Sequence, residues 1–330
     1  MATAPTCRLA SIAKLSLVSF TLLVACESES APVAIRLEAM SFANSEWSTP
    51  VNLAAINTGA AEAQATLSPD ELSLYFQSDR TGDPDIWVSQ RACRECDWEP
   101  PVSLGPIINT TFIENGPALS IDGHLLFFFS NRPGAGGNDI YVSRRTNTHD
   151  DFDWGPPEML GPDVNTTGDE NAPHYQQSAE PGGAELYFTR GPAGTQGQDL
   201  YAARVTRNGA TAGPAVFLSE LNHPTANDAA PTVRTDGKEI WFHRGAPAGG
   251  LGLADLWVST RRNANDPWST PENPGAPLNS AAFEQQPSLS FDGRRLVFTS
   301  NRPGSVSAPN GLPSLDIWMS TRTVNGKGEP

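Results

Sequence analysis

The sequence predicts an all-β protein, a five-bladed β-propeller of four-stranded antiparallel blades, and three observations carry this prediction. An internal repeat occurs five times, each copy holds short strand-like runs, and turn-forming residues are abundant. Gly 29 and Pro 29 together give 58 of the 330 residues, which favours many turns between short strands.

The repeat is marked by an Asn at intervals of 52, 56, 57 and 57 residues, with a carboxylate five or six positions later. An apolar run follows, then an Arg, then an Asp that opens a second apolar run. The Asn residues are Asn57, Asn109, Asn165, Asn222 and Asn279, and the acids are Glu62, Glu114, Glu170, Asp228 and Glu284. The Arg residues are Arg80, Arg132, Arg190, Arg244 and Arg302, and the second acids are Asp85, Asp139, Asp199, Asp255 and Asp316.

Both apolar runs of each copy have strand character. The first reads LSLYF, HLLFFF, AELYF, KEIWF or RRLVF, and the second reads DIWVS or a close variant. These runs are short, rich in β-branched and aromatic residues, and bounded by turn residues such as Asp122-Gly123. Four strands in a unit of about 55 residues are typical of a propeller blade.

The two ends of the repeat region predict how the ring closes. Residues 46–53 resemble the outer strand of a blade, whereas the last repeat ends on a third strand at Asp316–Ser320. We therefore expect residues 46–53 to supply the outer strand of the last blade, which removes the exposed strand edges of an open ring. Trp98, Trp154 and Trp268 repeat the position of Trp47, and we interpret them as core aromatics between blades.

The repeat motif resembles a known repeat. Its parts are S-P-D or I-D-G, then L-x-F-x-S-x-R, then D-I-x-V-S. They resemble the WD40-like β-propeller repeats of bacterial envelope proteins and of the C-terminal domain of TolB. The resemblance covers residues 47–322 and implies the propeller fold, but not one function. The third and fourth copies depart from it, since both lack the Ser two residues before Arg190 and Arg244.

The amino terminus predicts export and a lipid anchor. Residues 1–25 carry Arg8 and Lys14, then the apolar run Leu15 to Val24, in the order of a signal peptide. The end of this run, Leu23-Val24-Ala25-Cys26, resembles the lipobox of bacterial lipoproteins, which implies acylation of Cys26. We therefore expect a signal peptide at 1–25, a lipidated tether at 26–45, the propeller at 46–322 and a tail at 323–330. The expected location is the bacterial cell envelope, on the outer membrane and facing the periplasm or the surface.

Charge and cysteine content limit the partners. A net charge of −15 disfavours nucleic acid and anionic lipid, so membrane contact is expected through the lipid anchor alone. Cys93 and Cys96 remain after removal of the signal and lipidation, and in an exported protein they are expected to form a disulfide. No Cys and His spacing typical of a metal site is present, and no cofactor is predicted.

The repeated polar residues are expected to ring one mouth of the central channel, and two interpretations stay open. The Asn residues and acids could bind a polar ligand, or a cation such as calcium. Alternatively, each Arg pairs with the first acid and the Asp of its own or a neighbouring blade. Repetition in all five copies favours the structural interpretation, because an active site needs asymmetric residues.

The sequence favours a lipid-anchored, non-catalytic scaffold that binds an envelope protein or a cell-wall or glycan component. The alternative is a glycan hydrolase or lectin that uses carboxylates at the channel mouth, with candidates such as Glu114 and Glu284. One asymmetry stands out, because the loop from Arg to Asp contains 4, 6, 8, 10 and 13 residues from the first to the fifth copy. Loops of varied length on a rigid scaffold are typical recognition elements.

Overall fold

The computed structural model describes residues 46–177, 183–192, 197–245 and 250–323. Within these ranges the regular structure consists of twenty β-strands and no α-helix, so the all-β prediction is confirmed. None of the described residues belongs to a helix that could cross a membrane. The predicted signal peptide, Cys26 and the tether lie outside the described residues.

The strands form five antiparallel sheets, one for each repeat, which confirms the five-bladed propeller. The first blade is β3 (Glu62–Leu67), β4 (Ser73–Ser78), β5 (Asp85–Gln90) and β6 (Val102–Ser103). The second is β7 (Glu114–Leu119), β8 (Leu125–Ser130), β9 (Asp139–Arg144) and β10 (Glu158–Met159). The third is β11 (Asp169–Gln177), β12 (Gly183–Gly191), β13 (Asp199–Thr206) and β14 (Val216–Phe217). The fourth is β15 (Asp228–Val233), β16 (Glu239–Gly245) and β17 (Ala254–Thr260), and the fifth is β18 (Glu284–Leu289), β19 (Arg295–Ser300) and β20 (Asp316–Thr323).

The start of the described chain completes the fifth blade, as the sequence predicts. The short strands β1 (Glu46–Trp47) and β2 (Val51–Asn52) both pair antiparallel with β20. Val51 lies opposite Met319, and Trp47 lies opposite Arg322. Residues from the two ends of the propeller therefore share one sheet, and the outer edge of the last blade is covered.

The fourth blade differs from the others at its outer edge. Its fourth strand is reduced to one antiparallel bridge between Val258 and Glu272, in which each backbone N–H donates to the carbonyl of the other residue. The surrounding segment contains Pro271, Pro274 and Pro277, which have no backbone N–H to donate. A longer outer strand therefore cannot form there.

The core consists of five apolar clusters, each of which fills the space between two neighbouring blades. The second strand of each blade contributes a buried Phe at the same position. Burial of each such side chain stabilises the fold by about 2–3 kcal/mol. These residues are Phe76, Phe128, Phe188, Phe242 and Phe298.

The inner strands come close together at the centre. Each contains a register shift and a residue with positive φ at the same position. These residues are Gln64, Gly116, Ala172, Ala230 and Gln286. They and the residues that follow line a central cavity of only about 40 Å³, so the channel is too narrow at this level for a sugar.

Candidate functional site

The five repeated Asn side chains serve as clamps between consecutive blades. Asn109 accepts a hydrogen bond from the N–H of Ile86 at 3.0 Å and donates to the carbonyl of the same residue at 2.9 Å. The other four Asn residues bind the equivalent residue of the preceding third strand in the same way. Their amide groups are therefore occupied by the protein itself at the predicted binding positions.

The five repeated acids are buried and engaged by neighbouring groups. Glu114 is fully buried and accepts from the N–H of Thr110 at 2.7 Å, from its hydroxyl at 2.8 Å, and from the Ser130 hydroxyl at 3.0 Å. Arg132 adds an ion pair at 2.8 Å. Glu62, Glu170, Asp228 and Glu284 are likewise fully buried and paired with an Arg. The catalytic candidates Glu114 and Glu284 thus have no surface that a substrate could reach.

The repeated Arg residues all pair with the first acid of their blade, but in two different geometries. In the first, second and fifth blades the Arg Nε donates to a Ser hydroxyl, as Arg80 does to Ser78 at 2.9 Å. In the third and fourth blades Arg190 and Arg244 occupy the strand position of that Ser and pair with the acid through Nε. All five guanidinium groups also donate to a backbone carbonyl near the repeated Asn. The missing Ser is therefore replaced by the Arg itself.

The expected pairing of these Arg residues with the third-strand Asp is wrong. Within the described residues the repeated Arg side chains form ion pairs only with the first acids. Three of the Asp residues instead accept backbone N–H groups of their own loop. Asp139 accepts from Ala135 at 2.7 Å, Asp255 from Leu251 at 2.5 Å, and Asp316 from Val306 at 2.7 Å.

Like Asp199, Asp85 accepts none of these loop hydrogen bonds from the described residues. Its loop has only four residues, and no group in the described part of the chain donates a hydrogen bond to its carboxylate, whose Oδ1 is buried. The backbone N–H of Glu114 donates to the carbonyl of Pro84, which holds Glu114 beside Asp85. Burial, together with the charges on Glu114 and Asp83, raises the pKa of Asp85.

Three acidic residues lie in or beside this short loop of the first blade, and we call Asp79, Asp83 and Asp85 the blade-1 notch. Asp79 is half-buried and accepts from the N–H of Ala61 at 2.7 Å. Asn131 and Asn301 accept the equivalent N–H in the second and fifth blades, so the fold does not require a charge there. Asp83 is exposed. The notch is therefore an asymmetric acidic site on the face where the loops between second and third strands lie.

A second set of Arg residues was not predicted. Four Trp residues of the outer segments each lie under an Arg at or just after the end of a third strand, with the guanidinium carbon 3.9 to 4.8 Å from a ring centroid. The pairs are Arg322 with Trp47, Arg91 with Trp98, Arg145 with Trp154, and Arg261 with Trp268. In the third blade Val205 takes the Arg position and no Trp is present, so both members are replaced together. That joint absence was visible in the repeats.

Two further sequence predictions concern the disulfide and metal binding. Cys93 and Cys96 form a disulfide, with Cα atoms 5.0 Å apart, in the loop between β5 and β6. Among the described residues, no group of three or more His, Cys, Asp or Glu side chains could hold a metal ion.

The comparisons with known proteins add structural neighbours. No protein-family model and no curated protein matches the chain. An endo-arabinanase from Bacillus licheniformis has a TM-score of 0.56 at 13% identity over 78% of this chain and 93% of its own. An α-L-arabinofuranosidase from Podospora anserina has a TM-score of 0.51 at 12% identity over 80% and 91%. TolB from Acinetobacter baumannii has a TM-score of 0.48 at 15% identity over 81% of this chain and 56% of TolB.

These neighbours correct two expectations from the sequence. The matches with TM-scores above 0.5 include arabinanases, an arabinofuranosidase and a family-43 glycoside hydrolase. The prediction of a non-catalytic scaffold is wrong on this comparison, and so is the prediction that the chain is not an enzyme. The glycan hydrolase alternative has the better support. At 12 to 13% identity the likeness itself shows the fold.

Proposed function

We propose that this protein is a glycan hydrolase whose catalytic carboxylates lie in the blade-1 notch. The observation that carries the proposal is the state of Asp85. Three of its counterparts, Asp139, Asp255 and Asp316, accept hydrogen bonds from their own loops, whereas Asp85 accepts none from the described residues and has a buried Oδ1 without a partner. A carboxylate without a structural partner and with a perturbed pKa is a candidate for acid–base chemistry.

The two roles that glycoside hydrolysis needs fall to different acids. Asp85, whose pKa is raised by burial and by the nearby charges of Glu114 and Asp83, retains its proton to higher pH and donates it to the leaving oxygen. Asp79, held by the N–H of Ala61, supplies the second carboxylate. Glycoside hydrolysis uses a pair of carboxylates for these two roles.

The longer loops of the fourth and fifth blades supply the recognition surface. Leu251 and Leu253 are 53% and 56% exposed on the loop between β16 and β17, and Leu312 is 63% exposed on the loop between β19 and β20. Such apolar side chains suit the C–H faces of sugar rings. Because the structural neighbours include arabinanases and an arabinofuranosidase, we propose arabinose-containing glycans as the first substrates to test.

The test is release of reducing sugar from arabinan and arabinoxylan by the full chain and two variants. Asp85→Asn should lower turnover by about 10³-fold and leave the melting temperature unchanged or higher, because it removes an unpaired buried charge. The matched control Asp139→Asn should lower the melting temperature and keep turnover at temperatures where it is folded, because Asp139 holds its own loop. Turnover that survives Asp85→Asn would refute the assignment.

We further propose that the chain is a member of the WD40-like propeller repeat family and a lipid-anchored envelope protein with acylated Cys26. Support comes from the order of Arg8, Lys14, the apolar run and the Leu23–Cys26 box. A bacterial host fed labelled palmitate should label the chain, and Cys26→Ser should abolish the label. A labelled Cys26→Ser chain would exclude this anchor. The glycan substrate would then lie in the cell envelope.

A further inference from the structure

A large groove lies between the fourth and fifth blades, away from the blade-1 notch. Its volume is about 1120 Å³. It is bordered by the bridge between Val258 and Glu272, where the fourth blade lacks a regular outer strand. Pro274, Ala276 and Pro277 add apolar surface to its wall. The space is sufficient for a short oligosaccharide.

The groove collects positive charge in a chain whose net charge is −15. Five cationic side chains line it, against three acids. The cations are Arg234, Lys238, Arg261, Arg262 and Arg322, and the acids are Glu46, Glu239 and Glu272. The local balance is therefore opposite in sign to that of the whole chain.

Two of these cations are departures from the repeat. Arg234 stands where the first, second and fifth copies have Ser. Arg262 stands where the other copies have Ala or Thr. The residues at these positions in the other copies are Ser68, Ser120, Gln176 and Ser290 for Arg234, and Ala92, Thr146, Thr206 and Thr323 for Arg262. The repeated architecture does not need these charges, which favours a local function.

The cations differ in how they are held. Glu239 lies between Arg234 and Arg322 and forms an ion pair with each, at 2.8 Å to Arg322. Arg261 donates to the carbonyl of Gly237 at 2.6 Å and lies over Trp268. In contrast, half-buried Lys238 and exposed Arg262 have no hydrogen-bond or ion-pair partner for their side chains among the described residues. These two groups remain available to an anion.

We propose that this groove binds an acidic oligosaccharide, with its carboxylates on Lys238 and Arg262. The apolar wall formed by Pro274, Ala276 and Pro277 would contact the C–H faces of the sugar rings. A nucleic acid is disfavoured, because its dense phosphate charge would meet the acidic remainder of the surface. The proposal does not depend on the notch, which belongs to the first blade.

The experiment is calorimetric titration of the full chain with an oligogalacturonate at two salt concentrations. The double variant Lys238→Ala/Arg262→Ala should weaken binding at least about tenfold, and added salt should weaken binding to the unsubstituted chain. Arg204→Ala/Arg207→Ala removes the same charge from exposed positions of the third blade and should change the affinity less than about twofold. Glu272→Gln, which removes an acid from the groove, should strengthen binding about threefold.

Several results would overturn the proposal. They are no binding by the unsubstituted chain, equal weakening by both double variants, equal affinity for neutral arabinan, and tighter binding of inorganic phosphate or a short single-stranded DNA. The melting temperature of each variant shows whether it is folded. Loss of turnover in Asp85→Asn with unchanged oligogalacturonate binding separates this site from the proposed catalytic one.

Discussion

Single residues in this protein show which repeated charges are structural. The Arg and first-acid pairs were expected from their recurrence, and their geometry leaves the carboxylates fully buried. What the sequence could not reveal is the partner of the third-strand Asp, since a loop backbone and an Arg side chain both suit a carboxylate. The short loop before Asp85 can be read from the sequence, but only the folded structure reveals that its carboxylate has no hydrogen-bond partner among the described residues.

Removal of one buried acid should destabilise the fold strongly. Glu114→Gln leaves the guanidinium of Arg132 beside a neutral amide in a buried site, so we expect a loss of about 3 kcal/mol in the free energy of unfolding. The exposed pair of Arg144 and Glu158 supplies the control, and Glu158→Gln should cost less than about 0.5 kcal/mol. Urea denaturation measures both. A similar small effect for the two variants would contradict the structural role of Glu114.

Two half-buried His residues, His174 and His243, should make stability depend on pH. Burial lowers the pKa of His243 to about 4 from 6.5, and burial likewise lowers that of His174 to about 4. As the pH falls, each His is protonated in the unfolded chain before it is protonated in the folded chain. The free energy of unfolding therefore has its full value above pH 6.5 and falls as the pH drops towards 4, by about 3 kcal/mol per His residue.

The contribution of His243 can be separated by substitution. Its Nδ1 accepts the N–H of Gln286 at 3.3 Å, and Asn can accept the same bond without titrating. His243→Asn should therefore flatten the pH dependence of urea denaturation between pH 6.5 and 4. Exposed His149→Asn should leave the slope unchanged. If His243→Asn has the same pH dependence of stability as the unsubstituted chain, His243 is not its origin.

At the scale of elements, the strands were predictable but the inner-strand bulges were not. Period-two patterns and turn residues locate the second and third strands of every blade. The bulge places Gln64, Ala172, Ala230 and Gln286 at positive φ, which no propensity of these residues favours. Crowding of five inner strands around one axis overrides the local preference. The same limit applies to the fourth blade, whose three prolines reduce the outer strand to a bridge.

The bulge of the second blade should tolerate no side chain. A Cβ at Gly116 would lie 2.8 Å from Oε1 of Gln64 and 2.9 Å from the Phe129 ring, at φ +63°. Gly116→Ala should therefore lower the free energy of unfolding by about 2–3 kcal/mol. Gly105→Ala is the control, since it has φ +77° and no atom within 4 Å, and should cost about 1 kcal/mol. Equal losses in thermal or urea unfolding would exclude crowding at the bulge.

For the whole molecule, blade number and closure followed from counting repeats and comparing the two ends. Function did not follow, because the symmetric residues that attract attention are those that build the ring. The asymmetric features, the blade-1 notch and the groove between the fourth and fifth blades, depend on loops and on a missing strand. A sequence records these only as irregularities in spacing.

Ring closure should depend on Trp47 more than on its internal counterpart. Trp47 lies 4.8 Å from the Arg322 guanidinium and packs edge-on against Trp241 at 5.6 Å, joining the start of the propeller to its last two blades. Trp98 makes the same kind of contact with Arg91 within one blade. Trp47→Ala should cost more than Trp98→Ala, about 4 against 3 kcal/mol, and broaden the thermal transition. A greater loss in Trp98→Ala would contradict this order.

The pairing of β1 and β2 with β20 also determines when the propeller ring can close. Glu46 lies opposite Thr323, so β1, the first strand of the described residues, cannot form its hydrogen bonds until β20 has been synthesised. The four earlier blades can assemble during synthesis, whereas the fifth stays incomplete until the carboxyl-terminal residues are free. The closed ring therefore forms only after the whole propeller has been synthesised and released.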